Sequence, residues 1–330
     1  MPCWPANPPL TAPRHLLHMT GLFARLRPPY RLRSVYERLL GTEVEVQVVA
    51  GTRAQAEAAE NAALDELERL TAVLNRFDPS SEFSRWLASP GERVRLSPEL
   101  LAVLERAEHW QQVTGGAFHP GADALGALWQ AAAARGEAPD PAALARQVAE
   151  LRAPLWTRHG DGSATVHARF PLGLNAFAKG FIVDRMAETA FAAPGVRAVL
   201  VNAGGDLRTL GGDGLSVAVA DPFTARDDAP PLTTVWVQNG ALATSGGARR
   251  GHRVGKKWHS HLLDPRTGQP VEAVPGVTVT APDCAMADAL ATALSVLAPA
   301  DGLRLADETP GCAALLVTRD GAQLQSTNWR

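Results

Sequence analysis

Alternating polar and apolar residues mark the first strand that the sequence predicts. Residues 42–50 alternate glutamate, glutamine and threonine with valine and alanine, which is the period of a strand with one buried face. The next segment, 52–75, is rich in Ala, Glu and Leu and places Ala63, Leu67 and Leu70 at helical spacing. The folded part of the chain is therefore predicted to open with a strand followed by a long amphipathic helix.

The remainder of the sequence mixes helices with short strands. A helix is predicted to begin at Ser97-Pro98, because serine caps and proline opens helices, and to end at Gly115-Gly116. Other predicted helices span 141–151, the segment from Lys179 towards Pro194, and 286–297; predicted strands span 198–202, 215–220, 233–237, 276–281 and 313–318. Since helices and strands do not alternate strictly and no repeat or long Gly/Ser linker divides the chain, the pattern favours one α+β domain.

The N-terminal segment differs from the rest in composition. Residues 1–33 are rich in proline and arginine and contain no apolar run long enough for a signal peptide or a membrane span. We therefore expect a disordered tail over 1–33, a folded domain over 34–330, no integral membrane segment and a cytoplasmic location.

Charge and cysteine content narrow the function classes. The formal net charge is −2 over 330 residues, which argues against nucleic acid as a partner because binding a phosphate backbone needs a basic face. The three cysteines, Cys3, Cys284 and Cys312, are far apart and lack the spacing of a zinc site or a disulfide framework. A small anionic ligand suits this chain better than a polymer.

Five short motifs in the second half carry the candidate chemistry. They lie at 174–184, 201–208, 244–246, 261–268 and 287–292. Together they supply a lysine, two glycine-rich turns, a histidine and a carboxylate that suits a hard metal ion. These are the groups needed to hold a nucleotide pyrophosphate and break it.

The last motif is a candidate metal site. Asp288 and Thr292 are four residues apart on a predicted helix, so both side chains lie on one face. Mg²⁺ prefers oxygen ligands and often takes only one or two from protein, which leaves room for substrate phosphate. The alternative is a helix that merely presents a polar edge.

Two other motifs suggest phosphate contacts. Lys179 lies between Phe177 and Phe181, so it is either an ion-paired helix residue or a phosphate ligand. Gly204 and Gly205 precede Asp206 after a predicted strand and would let backbone approach a ligand closely; a turn with no ligand role is the alternative. Neither a dinucleotide fingerprint nor a Walker A loop is present.

His261 is the candidate general base among nine histidines. A neutral imidazole at this position, just ahead of a turn, can take a proton from an attacking hydroxyl near neutral pH. The alternative is that His261 only shapes the turn before Pro265. Thr244 and Ser245 would add hydroxyl and backbone donors near the phosphates.

The content and order of these motifs resemble those of the FAD:protein FMN transferases of the ApbE type, from about residue 40 to about 298. The resemblance implies a single ApbE-like domain related to the T-fold. It also implies Mg²⁺-dependent transfer of FMN from FAD to a threonine of an acceptor flavoprotein, such as a redox-complex subunit, with AMP released. Metal ligands are implied at Asp288, Thr292 and the backbone carbonyl of Ala176. Flavin-nucleotide contacts are implied at Leu40, Phe77, Ala117, Phe118, His119, Lys179, Gly204, Gly205, Asp206, Thr244, Ser245 and Leu262.

The chain departs from the family pattern at several positions. Gly173 stands where an aspartate that contacts the flavin nucleotide is expected, and His119 replaces the carboxylate of a Gly-x-Phe-Asp-Pro motif. Leu40 and Phe77 stand where methionine and tyrosine are frequent. Besides a transferase, an FAD pyrophosphatase that uses water and a flavin-binding protein without catalysis therefore stay open. Many relatives are exported, so a periplasmic or membrane-associated location stays open too.

Overall fold

The computed structural model describes residues 28–224, 229–246, 251–254 and 257–329. The helices in this part of the chain are α1 (Arg53–Leu74), α2 (Glu82–Leu87), α3 (Pro98–Val113), α4 (Ala122–Arg135), α5 (Pro141–Leu151), α6 (Asn175–Phe191), α7 (Cys284–Val296) and α8 (Pro299–Glu308). The strands are β1 (Tyr30–Leu39), β2 (Thr42–Ala50), β3 (Arg93–Arg95), β4 (Trp156–Arg158), β5 (Ser163–Val166), β6 (Val196–Ala203), β7 (Asp206–Gly211), β8 (Leu215–Val219), β9 (Thr233–Val237), β10 (Ala241–Gly246), β11 (Gly251–Val254), β12 (Lys257–Ser260), β13 (Gly276–Ala281), β14 (Ala313–Val317) and β15 (Gln323–Gln325).

An eight-stranded sheet forms the centre of the fold. Its strands lie in the order β1-β2-β6-β7-β10-β13-β14-β15, and every neighbouring pair is antiparallel. Helices α1, α6 and α7 pack side by side, α6 on β6 and β7 and α7 on β10 and β13. The main core lies between these helices and the sheet. Val44, Val46 and Val48 of β2 are fully buried there, which confirms the predicted alternation.

Smaller layers surround this centre. Strands β3, β5 and β4 form a three-stranded sheet beside α2 and α3, and β8–β9 and β11–β12 form two-stranded sheets. Trp129 of α4 and Leu144 of α5 build a second buried cluster that includes Leu263. The predicted α+β class is confirmed, with helices and sheets mixed along the chain.

The folded domain begins earlier than predicted. The predicted tail ended at residue 33, but β1 begins at Tyr30 and pairs with β2 along its length. Leu32 and Tyr36 pack against the core, and the Tyr36 hydroxyl donates a hydrogen bond to Glu60 (2.9 Å). These contacts join residues distant in sequence, so the local pattern did not reveal them. Residues 1–27 lie outside the described part of the chain, and within that part no helix is both long and apolar enough to cross a membrane.

A buried aspartate joins α6 to the start of α7. The Asp184 carboxylate on α6 accepts hydrogen bonds from the backbone N–H groups of Cys284 (2.7 Å) and Ala285 (2.9 Å). Asp283 caps the same helix by accepting from Met286 N–H (2.8 Å). The first turn of a helix leaves its N–H groups without intrahelical partners, so Asp184 satisfies two of them and fixes α7 against α6.

Asp184→Ala is expected to lower the free energy of unfolding by about 2 kcal/mol or more, because two buried N–H groups lose their acceptor. Chemical denaturation measures this change. Glu188→Ala, on the exposed side of the same helix, is the control and should change stability by no more than about 0.5 kcal/mol. Equal denaturation midpoints for the two variants would contradict this role of Asp184.

Candidate active site

A cleft of about 320 Å³ lies where α6 and α7 meet the β6–β7 turn and the ends of β10 and β13. Eight of the predicted site residues line it. They are Lys179, Gly204, Asp206, Thr244, Ser245, His261, Asp288 and Thr292. The structure therefore brings together residues from all five sequence motifs.

The glycine pair forms the tight turn between β6 and β7. Ala203 pairs with Asp206, so Gly204 and Gly205 are the two connecting residues, and both have positive φ (62° and 100°). Glycine adopts this backbone at no steric cost. A Cβ atom at Gly204 would also lie 2.4 Å from the Thr42 hydroxyl. This turn directs the buried Asp206 into the cleft.

Lys179 forms an ion pair with Asp206 at the floor of the cleft. Its ammonium group also lies 3.5 Å from the carbonyl oxygen of Ala203, to which it donates. Burial by itself lowers the pKa of Lys179, but the negative charges of Asp206 and Asp288 outweigh it and raise the pKa above its ordinary value. Lys179 is therefore a fixed positive charge in the cleft.

Asp288 is a buried carboxylate with an unused oxygen. Its Oδ2 atom has no hydrogen-bond partner among the described residues. Burial and the neighbouring Asp206 raise its pKa well above the ordinary value, while Lys179 and a hydrogen bond from the Gly180 N–H lower it. Asp206 and Asp288 thus place two carboxylates beside the one ammonium group of Lys179, and a divalent cation would relieve this imbalance.

The residues around Asp288 fit Mg²⁺. Thr292 lies one turn further along α7 and lines the same cleft, so a hydroxyl oxygen accompanies the unused carboxylate oxygen. In the described part of the chain, no group of three or more His, Cys, Asp and Glu side chains is arranged around a metal position. This donor set suits an ion that takes few protein ligands and shares the rest with water and phosphate.

Gly180 lets the two site helices approach each other. A Cβ atom at this position would lie 2.5 Å from the carbonyl oxygen of Cys284 and 2.8 Å from Cα of Ala285. Those atoms belong to the backbone of α7, which cannot move aside without moving Asp288. Close packing of α6 on α7 therefore sets the distance between Lys179 and Asp288.

Gly180→Ala is expected to lower the free energy of unfolding by about 1–3 kcal/mol through overpacking and to reduce activity by separating α6 from α7. The control is Gly126→Ala in α4, where the added Cβ meets nothing within 4 Å; it should be neutral or stabilising by up to about 1 kcal/mol. Thermal denaturation and turnover are measured for both variants. Normal stability and activity of Gly180→Ala would contradict the packing argument.

His261 lies in the wall of the cleft with its side chain exposed. It follows β12, and the Ser260 hydroxyl accepts a hydrogen bond from the N–H of Leu262 (3.1 Å). The turn after it is braced by an ion pair, because Arg266 donates to Asp264 (2.8 Å). The hydroxyls of Thr244 and Thr278, which also line the cleft, are hydrogen-bonded to each other (3.2 Å).

The other predicted contact residues do not line this cleft. Ala176 lies on α6 one turn before Lys179. Gly205 and Leu262 each adjoin a lining residue, and Leu40 lies in the β1–β2 turn.

Ala117 and Phe118 are each 2% exposed within the main core, so their side chains serve packing. Both ring nitrogens of His119 are occupied, by the carbonyl of Leu151 and the N–H of Gly121. Phe77 is 73% exposed. Their contact with FAD stays a prediction.

Sequence reasoning missed other lining residues. Thr278, Asp221 and Pro222 contribute to the cleft. Thr278 is an inward residue of β13, and nothing in its local sequence distinguishes it from a core position. Asp221 and Pro222 lie just beyond the end of β8, after Ala220, and a polar residue close to the end of a strand was the available signal.

Comparisons with known proteins identify the family of this chain. Residues 40–316 match the model of the ApbE family. A FAD:protein FMN transferase from Treponema pallidum is 33% identical over 311 residues, covering 86% of this chain and 84% of that protein. Another from Rhodobacter capsulatus is 33% identical over 242 residues, covering 70% of this chain and 45% of that protein. The crystal structure of the ApbE protein from Thermotoga maritima covers 91% of this chain and 97% of its own, with a TM-score of 0.74 and 27% identity. The chain therefore belongs to the ApbE family of transferases.

Proposed function

We propose that this protein transfers FMN from FAD to a threonine hydroxyl of an acceptor protein, with Mg²⁺ required and AMP released. The observation that carries the proposal is the unused, buried oxygen of Asp288 beside the Lys179–Asp206 ion pair in one cleft. A pyrophosphate carries negative charge, so its binding in this cleft needs two cations to neutralise it. Lys179 provides one, and Asp288 and Thr292 would hold the other.

The remaining residues orient the phosphates. The Gly204 turn presents backbone at the cleft wall, and Thr244 and Ser245 add hydroxyl groups to the lining. Asp288, Thr292 and the carbonyl of Ala176 are the candidate magnesium ligands. When bound, Mg²⁺ neutralises charge on phosphate oxygens as in other phosphoryl transfers.

The reaction needs one proton transfer at the attacking group. His261 accepts the proton of the acceptor hydroxyl as its oxygen forms a bond to the FMN-side phosphorus. The bond between that phosphorus and the bridging oxygen breaks, and AMP leaves with the electron pair. The product is a threonine–FMN phosphoester.

Water is the competing acceptor. Because the His261 side chain is exposed, water can reach it, and attack by water would give FMN and AMP. AMP release at one FAD and Mg²⁺ concentration, with and without a threonine-bearing acceptor, separates the two reactions. The proposed transfer predicts release that depends on acceptor; release that is equally fast without acceptor would identify a pyrophosphatase.

FAD is expected to bind far more tightly than ATP or NAD. The sequence lacks the Walker A and dinucleotide-fingerprint loops that hold those ligands, and family membership favours FAD. Equilibrium dialysis with each nucleotide in the presence of Mg²⁺ measures the difference. Comparable affinity for ATP would contradict the flavin assignment.

A further inference from the structure

A carboxylate from α4 occupies the space beside Gly173. A Cβ atom built at Gly173 would lie 1.9 Å from Oδ2 of Asp123 and 2.8 Å from its Cγ. The two segments are tied together, because the N–H of Gly173 donates to the carbonyl oxygen of Pro120 (2.8 Å). Gly173 does not have a positive φ, so the backbone itself would accept a side chain. A side chain at residue 173 would therefore displace the Asp123 carboxylate, which now fills that space.

Asp123 is held in place by an arginine. Its Oδ2 atom lies 2.6 Å from Nη1 of Arg76, with 38% of the Asp123 side chain and 23% of the Arg76 side chain exposed. The Arg76 guanidinium lies 4.5 Å from the ring centroid of Phe77, and Phe77 is 73% exposed. A partly exposed carboxylate, a guanidinium and an open aromatic ring therefore lie in succession on one surface.

Helix α6 connects this surface to the cleft. Gly173 lies two residues before the helix begins at Asn175, and Lys179, four residues further, lines the cleft. The four residues of helical rise correspond to roughly 6 Å, and the two residues before the helix lengthen this span. That length is comparable to the separation between the pyrophosphate of FAD and either of its ring systems. A dinucleotide whose pyrophosphate contacts Lys179 can therefore place a ring near Asp123.

We propose that Asp123 binds a ring N–H group of FAD, from the place that a side chain at residue 173 would otherwise occupy. This inference rests on the proposed function. An ionised carboxylate only accepts hydrogen bonds, and FAD offers two ring donors, the flavin N3–H and the adenine amino group. Arg76 orients the carboxylate, and Phe77 gives an aromatic surface on which a ring can stack.

Because Asp123 fills the space that a side chain at residue 173 would take, the experiment moves the carboxylate from position 123 to position 173. Four full-length proteins are compared with wild type: Asp123→Ala, Gly173→Asp, the double variant Asp123→Ala/Gly173→Asp, and the control Asp301→Ala. Asp301 also lies in the first turn of a helix, α8, and pairs with Arg304 (2.9 Å). It is remote in sequence from Asp123 and Gly173 and does not line the cleft. Dissociation constants for FAD, FMN and ADP are measured by calorimetry, and thermal denaturation reports folding.

Asp123→Ala should weaken FAD binding by about 10–100-fold, the range for losing a hydrogen bond to a charged group, while Asp301→Ala binds as wild type. Gly173→Asp alone should be destabilised, because it displaces Asp123 from its place beside Arg76 and brings a second carboxylate next to it. The double variant should regain both stability and most of the FAD affinity. A loss confined to FMN places the flavin ring at Asp123, and a loss confined to ADP places adenine there.

Three results would overturn the inference. Unchanged affinity of Asp123→Ala for all three nucleotides would exclude the contact, and wild-type AMP release in that variant would leave the proposed function standing. A folded double variant that binds as weakly as Asp123→Ala would exclude the exchange of position. If the wild-type protein itself binds no FAD, the proposed function fails and this inference fails with it.

Discussion

Asp288→Ala is expected to abolish Mg²⁺-stimulated AMP release, with a rate loss of roughly 10³-fold or more, as several kcal/mol of charge stabilisation disappear. Asp288 is the buried carboxylate whose Oδ2 has no partner among the described residues. Its replacement removes the charged ligand and leaves Thr292 alone. AMP release is measured by chromatography across a range of Mg²⁺ concentrations.

The fold should survive this substitution. Asp288 is buried beside Asp206, and both burial and that neighbour disfavour its charged form, so its removal relieves repulsion. Thermal denaturation without Mg²⁺ should therefore show a melting temperature no lower than that of wild type. Thr292→Val should cost less activity, because it removes a neutral ligand. Full metal-stimulated AMP release by Asp288→Ala would show that the metal assignment is wrong.

His261→Ala is expected to lower the transfer rate by roughly 10²–10⁴-fold, the usual scale for general acid–base catalysis, with little change in FAD affinity. His261 is an exposed residue of the cleft wall, where an incoming hydroxyl can reach it. The wild-type rate should rise with pH as the imidazole loses its proton, because only the neutral ring accepts one. Single-turnover rates across pH and a separate FAD titration measure the two effects.

His259→Ala is the matched control for this substitution. His259 lies two residues earlier in β12 and packs against the ring of Trp129, with centroids 5.1 Å apart. Its loss should affect stability more than the rate at saturating FAD. If His261→Ala instead unfolds at lower temperature and loses FAD, the histidine shapes the turn before Pro265; a variant that transfers at the wild-type rate would exclude the base role.

The local sequence was sufficient to predict the elements in which buried residues recur at a regular spacing. The alternation over β2 and the apolar face of α1 are each visible within one segment, and both elements form where predicted. The segment that forms α4 has a run of alanines and Gly126, which blur its apolar face, and it was not predicted. The order β6-β7-β10-β13 at the centre of the sheet depends on contacts between distant segments, so no local pattern reveals it.

Some features of the candidate site could be predicted from local sequence, and others depend on contacts between distant segments. Asp288 and Thr292 share a helix face, so their spacing alone indicated a common position, and Lys179 and Asp206 came from motifs. Their ion pair could not be read from sequence, because it depends on how α6 packs over the β6–β7 turn. Asp123 was missed for the same reason: it reaches Gly173 from a segment fifty residues earlier.

The most direct test of the account is the intact mass of an acceptor protein after incubation with this enzyme, FAD and Mg²⁺. The proposed transfer predicts an increase equal to FMN less one water, on a single threonine, absent without Mg²⁺ and absent when that threonine is replaced by valine. Accumulation of FMN and AMP at the same rate with or without acceptor, and no change in the acceptor's mass, would contradict it.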